Sequence, residues 1–102
     1  MKVIKKKPFA TAEAHHDFPW QFQQWFAKHG LDVNEPAFGR WVSEFDHIAW
    51  HNKMMPKFND FWDNFWQQER IQIMNGGPPF TKQEIIDKLA EARALYPVIN
   101  GQ

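Results

Sequence analysis

Five histidines occur in this 102-residue chain, and four of them fall in two clusters: His15-His16, and His47 with His51. The second pair is spaced i, i+4. On a helix that puts both rings on one face, one turn apart, where they can grip a single ion. Neutral imidazole is the commonest nitrogen ligand for such an ion. Successive side chains of an extended segment point oppositely, so one of His15 and His16 is expected to complete the metal site while the other faces a different task. That division of labour suits phosphodiester hydrolysis. Three imidazoles hold a cation and leave a position for a phosphate oxygen, and the cation offsets charge on the phosphorane and the departing oxygen. The fourth ring takes a proton from the attacking water. No nucleophilic side chain is required. His29 ends a helix and is expected to serve its C-terminal dipole rather than an ion.

These rings need elements to hold them. Asp17 is expected to cap a helix over 18–29, with Pro19 in its first turn, Phe22, Trp25, Phe26 and His29 on one face, and Gly30 as the stop. Leu31–Pro36 reads as a loop. Phe38–Phe45 alternates Trp41, Ser43 and Phe45 against Arg40, Val42 and Glu44, which predicts a strand. Asp46 is expected to cap a short helix over 47–54, interrupted by Pro56. Phe58, Phe61, Trp62, Phe65 and Trp66 give a clean period of 3.6 and predict a helix over 58–70. Such a stripe invites a reading as a base-stacking platform, but large apolar residues at helical spacing are usually core, and the same expectation covers Trp20, Trp25 and Trp41. Residues 75–80 read as a linker. Thr81 with Glu84 forms a capping box for a last helix over 82–95, lined by Ile85, Ile86, Leu89 and Leu95 and ended by Pro97. The fold expected is α+β: a small, mostly helical single domain with a basic arm over 1–12, a core over 13–74 and a C-terminal helix within 81–102 packed on it.

Composition narrows the rest. With no Cys, disulfides, thiolate zinc sites and thiol nucleophiles are excluded, and any metal must be held by His, Asp or Glu. Twelve Lys and Arg balance twelve Asp and Glu, so bulk electrostatics point to no partner. Ten Phe and six Trp supply the core volume that a chain this short otherwise lacks. No apolar run approaches a membrane span, and MKVIKKKPFA has no apolar segment of a secretory signal, so export would need another route or a longer chain. The Lys5-Lys6-Lys7 run is expected to be a solvated tail. Imidazole ligands suit Zn²⁺, Ni²⁺ or Co²⁺ by affinity, while Mg²⁺ or Mn²⁺ can be the working ion.

The residues around the clusters add a resemblance. Glu13-Ala14-His15-His16-Asp17-Phe18-Pro19 reads E-x-H-H-D-x-P, and His47-Ile48-Ala49-Trp50-His51 reads H-I-x-x-H just after the expected strand. In that order the chain resembles the HNH, or ββα-metal, nucleases of the colicin and pyocin DNase group. It is also similar to the AHH/GHH-type nuclease toxins at the C-terminal ends of bacterial polymorphic toxins; Phe58-Asn59-Asp60-Phe61-Trp62 looks like the trailing element of that group. The likeness spans roughly 13–66. It implies a ββα-metal motif with one divalent ion (Zn, Ni, Mg or Mn), His15 as the ligand on the strand, and His47 and His51 as ligands on the helix. It implies His16 as general base and Glu13 as a carboxylate orienting an Arg or a His, with Arg40 or an N-terminal Lys on the scissile phosphate. The Asn that pins the base in this family has no counterpart at the expected place, where Phe38-Gly39 stands; Asn34 and Asn59 are the two alternatives.

The resemblance further implies a monomeric endonuclease acting on the DNA backbone without sequence specificity, RNA being the alternative substrate. It would be delivered as the C-terminal part of a larger bacterial toxin into the target-cell cytoplasm and blocked by a cognate immunity protein. A neutral chain binds phosphate poorly, so a local basic face from Lys2, Lys5, Lys6, Lys7, Arg40, Lys53 and Lys57 is expected to compensate. Two other classes compete: a metal-stabilised binding module without catalysis, and a helical module whose last helix docks a protein partner.

Overall fold

Ala12–His16 forms strand β1 and Gly39–Ser43 forms strand β2 in the computed structural model, which describes residues 12–99. The two strands pair antiparallel, with Ala12 opposite Ser43, His15 opposite Arg40 and His16 opposite Gly39. Residues 1–11 and 100–102, which hold the Lys5-Lys6-Lys7 run and Lys2, lie outside the described residues. The architecture is the expected small, mostly helical α+β domain, with one two-stranded sheet and four α-helices among the described residues: α1 (Gln23–Lys28), α2 (Glu44–Ile48), α3 (Phe58–Met74) and α4 (Lys82–Leu95).

Several boundaries move, each for a local reason. The helix expected over 18–29 is α1 preceded by a tighter 3₁₀ turn at Trp20–Phe22, and Pro19 rather than Asp17 stands at its start. Gly30 ends α1 with φ of 75°, the left-handed conformation that lets Leu31 N donate to Phe26 O at 2.9 Å. β2 stops at Ser43 because the Ser43 hydroxyl accepts from Asp46 N at 3.1 Å and starts α2 there, three residues before the expected cap at Asp46. Phe45 therefore leaves the strand and is 64% exposed. After Ile48 the helix widens into one π-type turn over Ala49–Lys53, closed by Met54 N donating to Ala49 O at 2.9 Å. Such widened turns recur at functional sites.

The core is built from rings. Phe18, Phe26, Trp50, Phe58, Trp62 and Tyr96 are each at most 1% exposed. Each contributes about 1.5–3 kcal/mol by leaving water. The stripe on α3 buries Phe58, Phe61, Trp62 and Phe65, with Trp66 half-buried beside them. Trp20 departs from the expected core and is 51% exposed, because the 3₁₀ turn rotates it off the face that carries Trp25 and Phe26. The segment read as a linker ends inside the core: Phe80 stacks on Phe65 with centroids 4.5 Å apart. Its backbone N–H donates to Glu69, a buried carboxylate in α3 that also accepts from Trp25 Nε1 and His29 Nε2. α4, capped by the Thr81–Glu84 box, lays Ile85, Leu89 and Ala92 on the core, followed by Tyr96. Leu95, expected on that face, is 47% exposed because the buried stripe runs 85, 89, 92, 96.

Candidate metal centre

β1 and the α2–π segment bring three of the four clustered histidines to one point. His15 is buried on β1; His47 lies on α2 and His51 in the π turn. One nitrogen from each ring lies within 4.8 Å of the others. The tightest pair, His15 Nε2 and His51 Nε2, is 3.1 Å apart. Two imidazole nitrogens on one tetrahedral Zn²⁺ at about 2.0–2.1 Å sit roughly 3.3–3.4 Å apart, so this spacing fits a shared ion. His47, the third ring, is 42% exposed.

The outer nitrogens decide which tautomer each ring holds. His15 Nδ1 donates to Asp17 Oδ1 at 2.8 Å, and His47 Nδ1 donates to Glu13 Oε1 at 2.9 Å. Both bonds leave Nε2 with its lone pair, which for His15 faces His51, the arrangement that carboxylates impose on metal-binding imidazoles. Burial lowers the pKa of His51 to about 4, with His15 and His47 adding to the shift. Burial also lowers His15, against the opposing pull of Asp17. These two rings are thus neutral at pH 7, as a ligand must be.

Asp17 organises the side of the site away from solvent. The residue is 0% exposed; its Oδ2 accepts from Arg40 Nε at 2.6 Å and from Arg93 Nε at 2.8 Å. Burial pushes its carboxyl up, but the bonds from His15 and Arg40 outweigh that and hold it below the usual range. Asp17 is therefore no helix cap. The local pattern D-x-P matches a cap, and nothing local reveals that two arginines 23 and 76 residues away close on the same carboxylate. Arg93 also donates to Ala37 O, so α4, outside the span of the family resemblance, braces the segment behind His15.

The other candidates divide between the cleft and the frame. An open cleft of ≈ 340 Å³ is lined by the three converging histidines together with His16, Trp20 and Asn59. His16 Nε2 lies 3.0 Å from Asn34 Oδ1, while Asn59 Nδ2 reaches Gln21 at 3.4 Å. Of the two asparagines left open by the sequence, Asn34 is thus the one on His16 and Asn59 is a wall of the cleft. Arg40, expected on the scissile phosphate, does not line the cleft. Besides Asp17, it donates to Tyr96 O, and it lies over the Trp50 ring at 4.6 Å. His29 bonds Trp25 O, a carbonyl at the end of α1, and also Glu69, away from the ion site. Lys53, at the end of the π turn, and Lys57, beyond it, are exposed.

No family model, curated protein or solved structure matches this chain. No helix among the described residues is long and apolar enough to cross a membrane.

Proposed function

We propose that the protein is a metal-dependent endonuclease that hydrolyses phosphodiester bonds of DNA, an antibacterial toxin module delivered into a target cell and neutralised by a cognate immunity protein. One observation carries the chemistry: His15, His47 and His51 converge, and a fourth imidazole lines the same cleft without joining them. The ligands stand on a strand and on the helix that follows the second strand, the placement that the ββα-metal nucleases imply. A divalent cation held there would polarise the phosphate and stabilise charge on the departing oxygen.

The chain's own groups do the rest. Asp17 and Glu13 hold His15 and His47 in the tautomer that turns Nε2 to the ion. Asn34 accepts from His16 Nε2, which leaves the His16 Nδ1 lone pair to take the proton of an attacking water. The delivery route and immunity partner rest on the family resemblance of the sequence clusters.

Supercoiled plasmid incubated with the purified protein and Mg²⁺, Mn²⁺, Ni²⁺ or Zn²⁺ should be nicked. His16→Ala should abolish nicking and keep the metal by equilibrium dialysis; His51→Ala should lose the metal. His16→Ala that nicks at the normal rate removes the assigned base, and metal binding without nicking under any ion leaves a purely structural site.

A further inference from the structure

The cleft does not end at the histidines. Trp20, a half-exposed ring 5.7 Å from His16, lines both the cleft and a second hollow of ≈ 520 Å³ along α1, and Gln21 is shared in the same way. That hollow shares Trp25, Lys28 and Trp66 with a third, of ≈ 660 Å³, whose lining adds Arg70 and Lys82. Through these shared walls the three hollows adjoin in turn and define a path that starts at the histidine cleft. Two indoles stand on it with exposed surface. The Arg70 guanidinium lies over the Trp66 ring at 4.9 Å. Lys28, Arg70 and Lys82 are exposed and make no ion pair with any described residue. Glu69, the one acid in the lining of these hollows, is turned inward to Trp25, His29 and Phe80.

Aromatic faces interleaved with unpaired cations are what a single nucleic-acid strand requires: rings for its bases, charges for its phosphates. A duplex keeps its base faces stacked inside and has no use for an exposed indole beside the reacting phosphate. We infer that this path binds an unpaired strand of the substrate, with one base on Trp20 next to the scissile phosphate, another on Trp66, and phosphates on Lys28, Arg70 and Lys82. The inference rests on the nuclease reading and narrows its substrate to single-stranded or locally opened nucleic acid.

Binding read without metal separates the two. Fluorescence anisotropy of a short labelled oligothymidylate with the full chain in chelator should show tighter binding than the matching duplex. Trp20→Ala should weaken the single-strand complex by about 5- to 150-fold, the range that one stacked base supplies. Lys28→Glu, an exposed change that leaves the core untouched, should weaken it and flatten its salt dependence. The path is wrong if wild-type protein fails to bind the oligomer, if it prefers duplex, or if neither variant changes affinity. Strand binding that follows these variants with no cleavage under any ion would instead remove the nuclease reading and keep the path.

Discussion

Asp17→Asn tests how far the ion site depends on one buried carboxylate. Oδ2 carries two of the three hydrogen bonds, from Arg40 and Arg93, and Oδ1 carries the one from His15. The amide oxygen of Asn should therefore stay on the arginines, and its NH₂ should land opposite His15 Nδ1. Two donors then face each other. The neutral ring relieves this by moving its proton to Nε2, which places it where the ion binds. Loss of such a supporting partner typically weakens metal affinity about 10- to 100-fold, or roughly 1.4–2.7 kcal/mol. Removing the buried charge also leaves two guanidinium groups short of a counterion, at a cost of up to about 3–5 kcal/mol. Arg93, 34% exposed, reaches water and reduces that figure. Zn²⁺ affinity by competition with a chromophoric chelator, alongside thermal melts of the metal-free protein, measures both. Leu89→Ala is the control: it empties a buried position on α4, an element that carries none of the histidines, at about 2–5 kcal/mol. A Zn²⁺ affinity unchanged in Asp17→Asn, or weakened equally in Leu89→Ala under conditions where both are folded, refutes the tautomer argument.

Glu13→Ala should cost less affinity than Asp17→Asn in the same titration, because the Glu13–His47 pair is 47% and 42% exposed and water can replace the lost acceptor. Asn34→Ala should leave metal binding intact and lower plasmid cleavage at least tenfold, out of the roughly 10²–10⁴ that a positioned base supplies. The metal-free protein should lose thermal stability as pH falls from about 6.5 toward 4. His15 and His51 have lowered folded-state pKa values, so the unfolded chain binds more protons in that window and acid favours it; His51→Ala should flatten the slope of melting temperature against pH. Glu69→Gln should lower the melting temperature without changing metal affinity, since this carboxylate ties α1, α3 and Phe80 together away from the three converging histidines.

The sequence by itself determined the chemistry that is available here. Four histidines in two clusters, no thiol, and a doublet next to an i, i+4 pair are properties of composition and spacing. They name His47, His51 and one ring of the His15-His16 doublet as candidate ligands before any fold is known, and the family resemblance puts His15 on the ion and His16 beside it. The long α3 stripe and the Thr81–Glu84 box were legible for the same reason, because helix periodicity and capping act within a few residues. Tertiary structure decided what those groups are connected to. It turned Asp17 from an apparent cap into the acceptor behind His15, set Arg40 on that carboxylate and outside the cleft, put Asn34 rather than Asn59 against His16, and left Trp20 half in solvent. Each outcome is set by partners that only folding brings near: the sheet pairing, the α4 arginine and a 3₁₀ turn. The energy of a buried carboxylate or an exposed indole depends on those distant neighbours, which local patterns do not contain.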